Sequence, residues 1–186
     1  MYKKRMTAER DEPFVVFLIG MRINRYWKIH RWLPVAAAMP RMLRELTAEG
    51  DSGLLHYEST INARTILMVQ YWDSFESLRE YARDVEQEHL PAWIEYNQTS
   101  AGSGDVGIFH ETYLVDPEDC ETVYNNMPAF GLGVAGELRP ATGTVETAGR
   151  RLGVVEDDPA PPMDGESVDT PSDAGRTDTS TLLDVR

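Results

Sequence analysis

The strongest constraint on the fold is an apolar run that begins at Phe14. Residues 14–24 (FVVFLIGMRIN) are almost continuously apolar and rich in β-branched and aromatic side chains, which predicts a buried strand. Successive side chains of a strand point to opposite faces of the sheet. Both faces are apolar here, with Val15 and Phe17 on one side and Phe14 and Val16 on the other. The sheet that contains this strand must therefore be covered on both sides.

The elements after this strand follow the order β-α-β-β-α-β, which predicts an α+β ferredoxin-like sandwich. Further strands are predicted at residues 54–61, 65–72 and 106–115 from their apolar content and alternation. Helical spacing begins at Pro34, and Pro40 predicts a kink or two abutting helices there.

Three more helix signals lie between and after the strands. Asp73 is predicted to cap a helix, with Glu76 as its capping-box partner. Pro91 is predicted to restart a helix, and residues 117–127 are predicted to form a short one.

Helices on one side of a four-stranded sheet leave the second apolar face uncovered. A second copy of the same sheet is the simplest cover, so the sequence predicts a symmetric homodimer whose sheets pack face to face. The cleft between each sheet and its own helices is then the predicted pocket for a hydrophobic small molecule.

Composition divides the chain into three parts. Residues 1–12 are polar and predict a flexible arm, residues 13–135 form the predicted domain, and residues 136–186 are predicted to be an acidic, disordered tail. The formal net charge is −13, and residues 156–186 alone contain nine acids and two arginines.

The same composition argues against several classes of protein. An acidic chain lacks the clustered cations that bind nucleic acid, and no apolar run is long enough to cross a bilayer. The single cysteine, Cys120, excludes an internal disulfide and a multi-cysteine zinc site, so no metal site is predicted. We expect a cytoplasmic protein that binds neither nucleic acid nor membrane.

Two histidines are the candidate catalytic residues. His110 lies within the last predicted strand, and His89 lies close to the helix start at Pro91. Imidazole titrates near neutral pH, so either side chain could remove a proton or bind a metal-containing cofactor in the cleft. The alternatives are a core histidine for His110 and a capping or surface histidine for His89.

Six other residues are candidates for binding substrate. Trp93 and Asn97 follow His89 at spacings of four and eight, where they could stack on an aromatic substrate and orient a carbonyl or dioxygen. Trp72 and Tyr113 are further candidates, although a tryptophan in this pattern is often a core residue.

Arg22 and Asn24 interrupt the first apolar strand, and buried polar groups need partners. They could hold a polar substituent of the substrate. Alternatively, Arg22 could form a structural ion pair with Glu58 or Glu111.

Several sequence blocks resemble a bacterial and fungal family of monooxygenase-like domains within the dimeric α+β barrel superfamily. The resemblance covers roughly residues 14–136 and rests on the following blocks: residues 14–24, WKIHRWLP at 27–34, VQYW at 69–72, EHLPAW at 88–93, VGIFHETY at 106–113 and YNNMPAFGLG at 124–133.

The resemblance implies two kinds of chemistry. Antibiotic-biosynthesis monooxygenases of this superfamily oxidise substrates without metal or flavin, because the substrate carbanion itself reduces oxygen. Other members hold haem through a histidine. The favoured prediction is a small oxygenase that needs no cofactor, with a haem protein and a non-catalytic ligand-binding or dimerisation module as alternatives.

Overall fold

The computed structural model describes residues 1–48, 50–84, 89–99, 101–155 and 159. These residues form six strands and five α-helices, together with three short 3₁₀ turns. The strands are Met6–Glu9 (β1), Phe14–Ile23 (β2), Leu54–Ile61 (β3), Thr65–Trp72 (β4), Val106–Val115 (β5) and Glu137–Pro140 (β6). The helices are Ile29–Ala48 (α1), Phe75–Arg83 (α2), His89–Thr99 (α3), Leu132–Ala135 (α4) and Ala148–Arg151 (α5).

The main sheet has the strand order β3-β4-β2-β5, and all neighbouring strands are antiparallel. The apolar strand β2 is central, and its Val15 lies opposite Trp72 of β4 and Leu114 of β5. The sequence order β-α-β-β-α-β and this strand order together confirm the predicted α+β ferredoxin-like fold.

The first three helices cover one face of this sheet, which we call the helix face. Val15 and Trp72 pack there against Leu46 of α1 and Leu78 of α2. A second cluster at the other end of β2 joins Met21 to Tyr96 of α3 and to residues of α1. Burial of these side chains, at about 25 cal/mol per Å² of apolar surface, is what holds the helices to the sheet.

The opposite face, which we call the outer face, is partly covered by segments near the two ends of the described chain. Phe14 is buried there against Leu132 of α4, and Ala8 of β1 belongs to the same cluster. β1 pairs with β6 in a separate two-stranded sheet, so both terminal segments lie over the same part of β2. The chain itself therefore provides part of the cover that the sequence assigned to a second copy.

The rest of the outer face is only partly covered. Leu18, Leu67 and Val69 are half-buried, and 40% of Phe109 is exposed. This remaining patch is apolar and lies on the three strands β2, β4 and β5.

The termini differ from the prediction of a loose arm and a tail that begins at residue 136. Residues 6–9 form β1 and residues 137–140 form β6, because each strand supplies the hydrogen-bonding partner of the other. Ala141 and Thr147 are buried, so the ordered part extends beyond residue 136. The acidic segment 156–186 lies, apart from residue 159, outside the described residues.

Three helix predictions also need correction. Helix α1 begins at Ile29 and continues through both Pro34 and Pro40, because each proline removes only one intrahelical bond while Ala38, Met42 and Leu46 remain packed on the sheet.

The cap of α2 is Ser74 rather than Asp73, because the Ser74 hydroxyl accepts a hydrogen bond from the amide of Ser77. The segment 117–127 is helical only over Pro117–Asp119. Tyr124 instead forms an antiparallel bridge with Met6, which draws this segment into extended structure.

Candidate functional site

A cavity of about 470 Å³ lies between the helix face of the sheet and helices α1, α2 and α3. Its walls are mainly apolar and aromatic, with a few polar side chains among them. Such a composition is typical of pockets that bind hydrophobic small molecules. Its polar and charged side chains are Arg79, Arg83, His89, Glu95, Thr99, His110 and Thr112, to which Tyr96 adds a hydroxyl.

His89 is the first residue of α3 and lines this cavity. Its Nδ1 lies 3.1 Å from the carbonyl oxygen of Ala82 in α2. A carbonyl only accepts hydrogen bonds, so Nδ1 carries the proton and donates it. Neutral His89 therefore has its lone pair on Nε2, the nitrogen that can accept a proton.

Burial is the main cause that lowers the pKa of His89 below its usual value. The nearby His110 lowers it further, since two positive charges repel, while the hydrogen bond to Ala82 acts in the opposite direction. His89 is therefore neutral at pH 7, as a general base must be before it accepts a proton.

His110 lies on the edge strand β5, opposite Ile19 of β2, and also lines the cavity. Its ring centroid is 5.7 Å from that of Phe17. The side chain is exposed, so it joins the cavity to solvent. The two predicted catalytic residues are thus brought to one cavity, one deep against α2 and the other at its open side.

Trp93 lines the cavity, whereas Asn97 does not. The Asn97 amide donates to the carbonyl of Trp93 in its own helix and is exposed. A spacing of eight residues from His89 rotates a side chain by about 80° around a helix, and a spacing of seven by only about 20°. Tyr96 has the spacing of seven, and it is the residue that lines the cavity and stacks on Trp93.

Arg22 and Tyr113 lie on the outer face, away from the cavity. Even-numbered residues of β2 point there, and Tyr113 lies opposite Val16. The predicted ion pair of Arg22 with Glu58 or Glu111 does not occur among the described residues. Glu58 instead contacts His56 at 2.9 Å, and Glu111 accepts from the hydroxyl of Tyr113.

Asn24 and Trp72 have structural roles. The Asn24 amide donates to the carbonyl of Gly104 and so joins the end of β2 to the loop before β5. Trp72 is fully buried in the core, where its indole N–H donates to the side chain of Gln70. Neither residue lines the cavity.

The basic segment after β2 is attached to a buried carboxylate. Asp105 is 1% exposed and accepts from Arg25 at 2.7 Å and from Lys28 at 2.8 Å. Its hydrogen bond to Lys28 is the main cause that lowers the pKa of Asp105. These two cations therefore fix the loop before β5 to the start of α1.

Two groups of cavity residues were not among the residues predicted from the sequence. One group is four methionines, whose thioether side chains are apolar and flexible: Met21, Met39, Met42 and Met68. The other is the pair Arg79 and Arg83 on α2. The spacing of four within a predicted helix was the available signal for the arginines.

Metal-binding clusters and membrane-spanning helices are both absent from the described residues. No group of three or more His, Cys, Asp or Glu side chains is arranged there to hold a metal ion. None of the helices in those residues is both long and apolar enough to cross a membrane.

The family model described as monooxygenase af470-like matches residues 14–132. The chain belongs to this family. The match spans the main sheet, the three helices of the cavity and the start of α4, so both histidines lie within it. The monooxygenase-like resemblance predicted from the sequence blocks is therefore confirmed.

Solved structures with a similar fold come from several bacteria. The cofactor-independent oxygenase SnoaB from Streptomyces nogalater is 8% identical, with 55% of this chain and 93% of that chain covered and a TM-score of 0.40. A dimeric protein of unknown function and ferredoxin-like fold from Bacteroides fragilis is 16% identical, with 55% and 96% covered and a TM-score of 0.41. No curated protein matches the sequence.

Proposed function

We propose that this member of the monooxygenase af470-like family is a cofactor-independent monooxygenase that oxidises a hydrophobic small molecule at an acidic C–H bond. The observation that supports this function best is the position of His89. Its Nδ1 is engaged by Ala82, its pKa is lowered, and it faces an apolar cavity together with His110. A neutral imidazole in such a cavity suits the abstraction of a proton.

The proposed reaction needs no reductant besides the substrate. Nε2 of His89 takes a proton from a methylene group, and the resulting carbanion transfers an electron to O₂. Radical recombination forms a carbon–oxygen bond and, after protonation, a hydroperoxide. Loss of water from the hydroperoxide leaves a carbonyl, so CH₂ and O₂ give C=O and H₂O.

His110 is proposed to pass the proton between His89 and solvent. It lies at the exposed side of the cavity and close enough to His89 to lower its pKa. A titratable group at this position could return the proton that the hydroperoxide needs.

The walls of the cavity are proposed to select a flat hydrophobic substrate. Trp93 and Tyr96 have stacked rings whose centroids are 5.8 Å apart, and both line the cavity. Aromatic faces favour offset stacking with another ring, while the flexible thioethers adapt to its outline.

Anthrone is a suitable test compound, because it is a tricyclic ketone with an acidic methylene group. The expected reaction consumes one O₂ and gives anthraquinone and water. His89→Gln and His110→Ala are expected to fold normally and to lower kcat/KM for anthrone by about 10²- to 10⁴-fold, the usual contribution of a general base. Oxygen uptake and anthraquinone absorbance measure the rate.

His30→Gln is the matched control, because His30 is exposed on α1 and does not line the cavity. Its rate should equal that of the unmodified chain. Unchanged turnover in both His89→Gln and His110→Ala would overturn the proposed role of the histidines. Absence of turnover with any activated methylene compound would favour a non-catalytic ligand-binding module.

The absorption spectrum of the same preparation tests the need for a cofactor. A neutral His89 could also serve as the axial ligand of a haem, whose iron would then supply the oxygen chemistry. The cofactor-free proposal expects no Soret band in the protein as purified. A Soret band that is lost in His89→Gln or His110→Ala would support the haem alternative.

We also propose that the chain forms a homodimer through the uncovered part of its outer face. Leu18, Val69 and Phe109 are apolar and remain partly exposed there. An exposed apolar patch on a sheet is often an interaction site, and a twofold dimer would pair this patch with itself.

A further inference from the structure

Two arginines lie at the edge of the cavity on one helix. Arg79 and Arg83 are four residues apart in α2, and both line the cavity. Residues at this spacing lie on the same side of a helix, one turn apart. The other cavity residues of α2 are the apolar Phe75, Leu78 and Ala82.

Neither guanidinium has a carboxylate partner in the part of the chain that the structure describes. Other arginines do, since Arg25 is bound to Asp105 and Arg151 to Glu121. Glu95 is the single carboxylate among the cavity residues that the structure describes. The described lining of the cavity therefore holds two arginines and one carboxylate, in a chain whose formal net charge is −13.

The backbone places these cations close to the proposed base. Ala82, whose carbonyl holds Nδ1 of His89, directly precedes Arg83 and lies three residues after Arg79. One turn of an α-helix rises about 5.4 Å. Both arginines therefore belong to the turn of α2 whose carbonyl group holds His89.

We propose that Arg79 and Arg83 bind the carboxylate of the substrate, and that this substrate is a hydrophobic molecule with its carboxylate near the reacting carbon. Guanidinium groups bind carboxylates through charge-assisted hydrogen bonds. The apolar body then lies against the methionines and the aromatic rings. This inference extends the proposed oxygenase function by naming the chemical class of its substrate.

A pair of probes that differ only in the head group tests the proposal without any turnover. Decanoate carries the carboxylate, and 1-decanol has the same chain length without the charge. Calorimetric titration should show that decanoate binds more tightly to the unmodified chain, and that raising the salt concentration weakens only the binding of decanoate.

Removal of the cations should abolish this preference. Arg83→Gln is expected to weaken decanoate binding by about fivefold and the double variant with Arg79→Gln by at least tenfold, as fits partly exposed charge pairs. Binding of 1-decanol should stay within twofold. Arg44→Gln is the matched control, since it removes one exposed charge that does not line the cavity.

The outcomes separate this inference from the oxygenase function. Equal affinity for decanoate and 1-decanol, or an equal loss of decanoate binding in Arg44→Gln, would overturn the carboxylate site. That result would not contradict a turnover of anthrone that depends on His89. Conversely, a carboxylate site can be present even where neither histidine supports turnover.

Discussion

A hydrogen bond to the backbone determines the tautomer of neutral His89. Its Nδ1 donates to the Ala82 carbonyl, so no acidic side chain is needed to orient the ring. A carboxylate in that place would raise the pKa of the imidazole, whereas burial and the neighbouring His110 lower it. These surroundings therefore favour the neutral imidazole, with its free lone pair on Nε2.

The lowered pKa of His89 predicts a pH dependence of stability. The unfolded chain protonates this residue below about pH 6.5, whereas the folded chain does so only at lower pH. Between these values the unfolded state binds more protons, so the free energy of unfolding should fall as the pH falls. Urea unfolding of the parent chain and of His89→Gln, from pH 7.5 to 5, measures the contribution.

His89→Gln should lose less stability over this range than the parent chain, and His30→Gln should behave like the parent. A parent and a His89→Gln variant with identical pH profiles would contradict the prediction. Asp105 does not contribute to the change over this pH range. Its pKa is lowered in the folded chain, so its stabilising effect is lost only below its unfolded pKa of about 3.8.

The sequence predicted the residue types of the site better than their positions. His89, His110 and Trp93 line the cavity as expected. Asn97 was predicted to share the face of His89 at a spacing of eight, but a spacing of seven, which is that of Tyr96, keeps a side chain closer to His89 on the helix.

At the scale of the strands, Gly20 fits a site that has no room for a side chain. A Cβ built at Gly20 would lie 2.6 Å from the ring of Phe109 and 2.9 Å from the carbonyl oxygen of Ile66. The ring of Phe109 in β5 therefore packs directly over the backbone of β2. Phe109 is the residue opposite Gly20 in the pairing of these two strands.

We predict that Gly20→Ala destabilises the chain by about 1–3 kcal/mol, the usual cost of overpacking, because a backbone oxygen cannot move as a side chain can. Gly107→Ala is the control, since its Cβ would meet nothing closer than 3.9 Å. Denaturant unfolding compares the two. Equal stability of both variants would show that the contact with Phe109 and Ile66 is readily relieved.

The strands were more predictable than the helices. Alternation and apolar content located β3, β4 and β5 at their observed limits, because a sheet buried on its helix face imposes a period of two on the sequence. At Pro40 the prediction was a kink or two abutting helices, and α1 is one helix there, since a local rule does not include the packing that keeps the helix continuous.

At the scale of the whole molecule, the outer face combines two kinds of cover. The terminal segments bury Phe14, and the proposed partner would bury the patch that contains Leu18 and Phe109. Because the terminal segments already cover part of the outer face, the area left for contact with a second copy is smaller than that of a bare sheet.

Phe109→Asp should convert the proposed dimer into a monomer, because a twofold contact would place two buried charges in one interface. Leu114→Asp is the matched control, since Leu114 is exposed on the same strand but points to the helix face. Sedimentation velocity distinguishes the two species. A parent chain that sediments as a monomer would contradict the dimer, as would a Phe109→Asp variant that still dimerises.

The terminal cover was not predictable from the sequence. Met6 and Pro140 are paired across more than 130 residues, and neither short segment has a pattern that identifies its partner. Periodicity describes which face of an element is apolar, but it does not say what buries that face.

The pairing of β1 with β6 also determines how the chain would respond to tension. The chain enters this antiparallel ribbon at Met6 and leaves it at Pro140, and these two residues are partners. A force that pulls the two ends apart would therefore load one residue pair at a time, as in opening a zipper. Opening the ribbon would remove Ala8 and Leu138 from the cluster around Phe14 and so uncover part of the outer face.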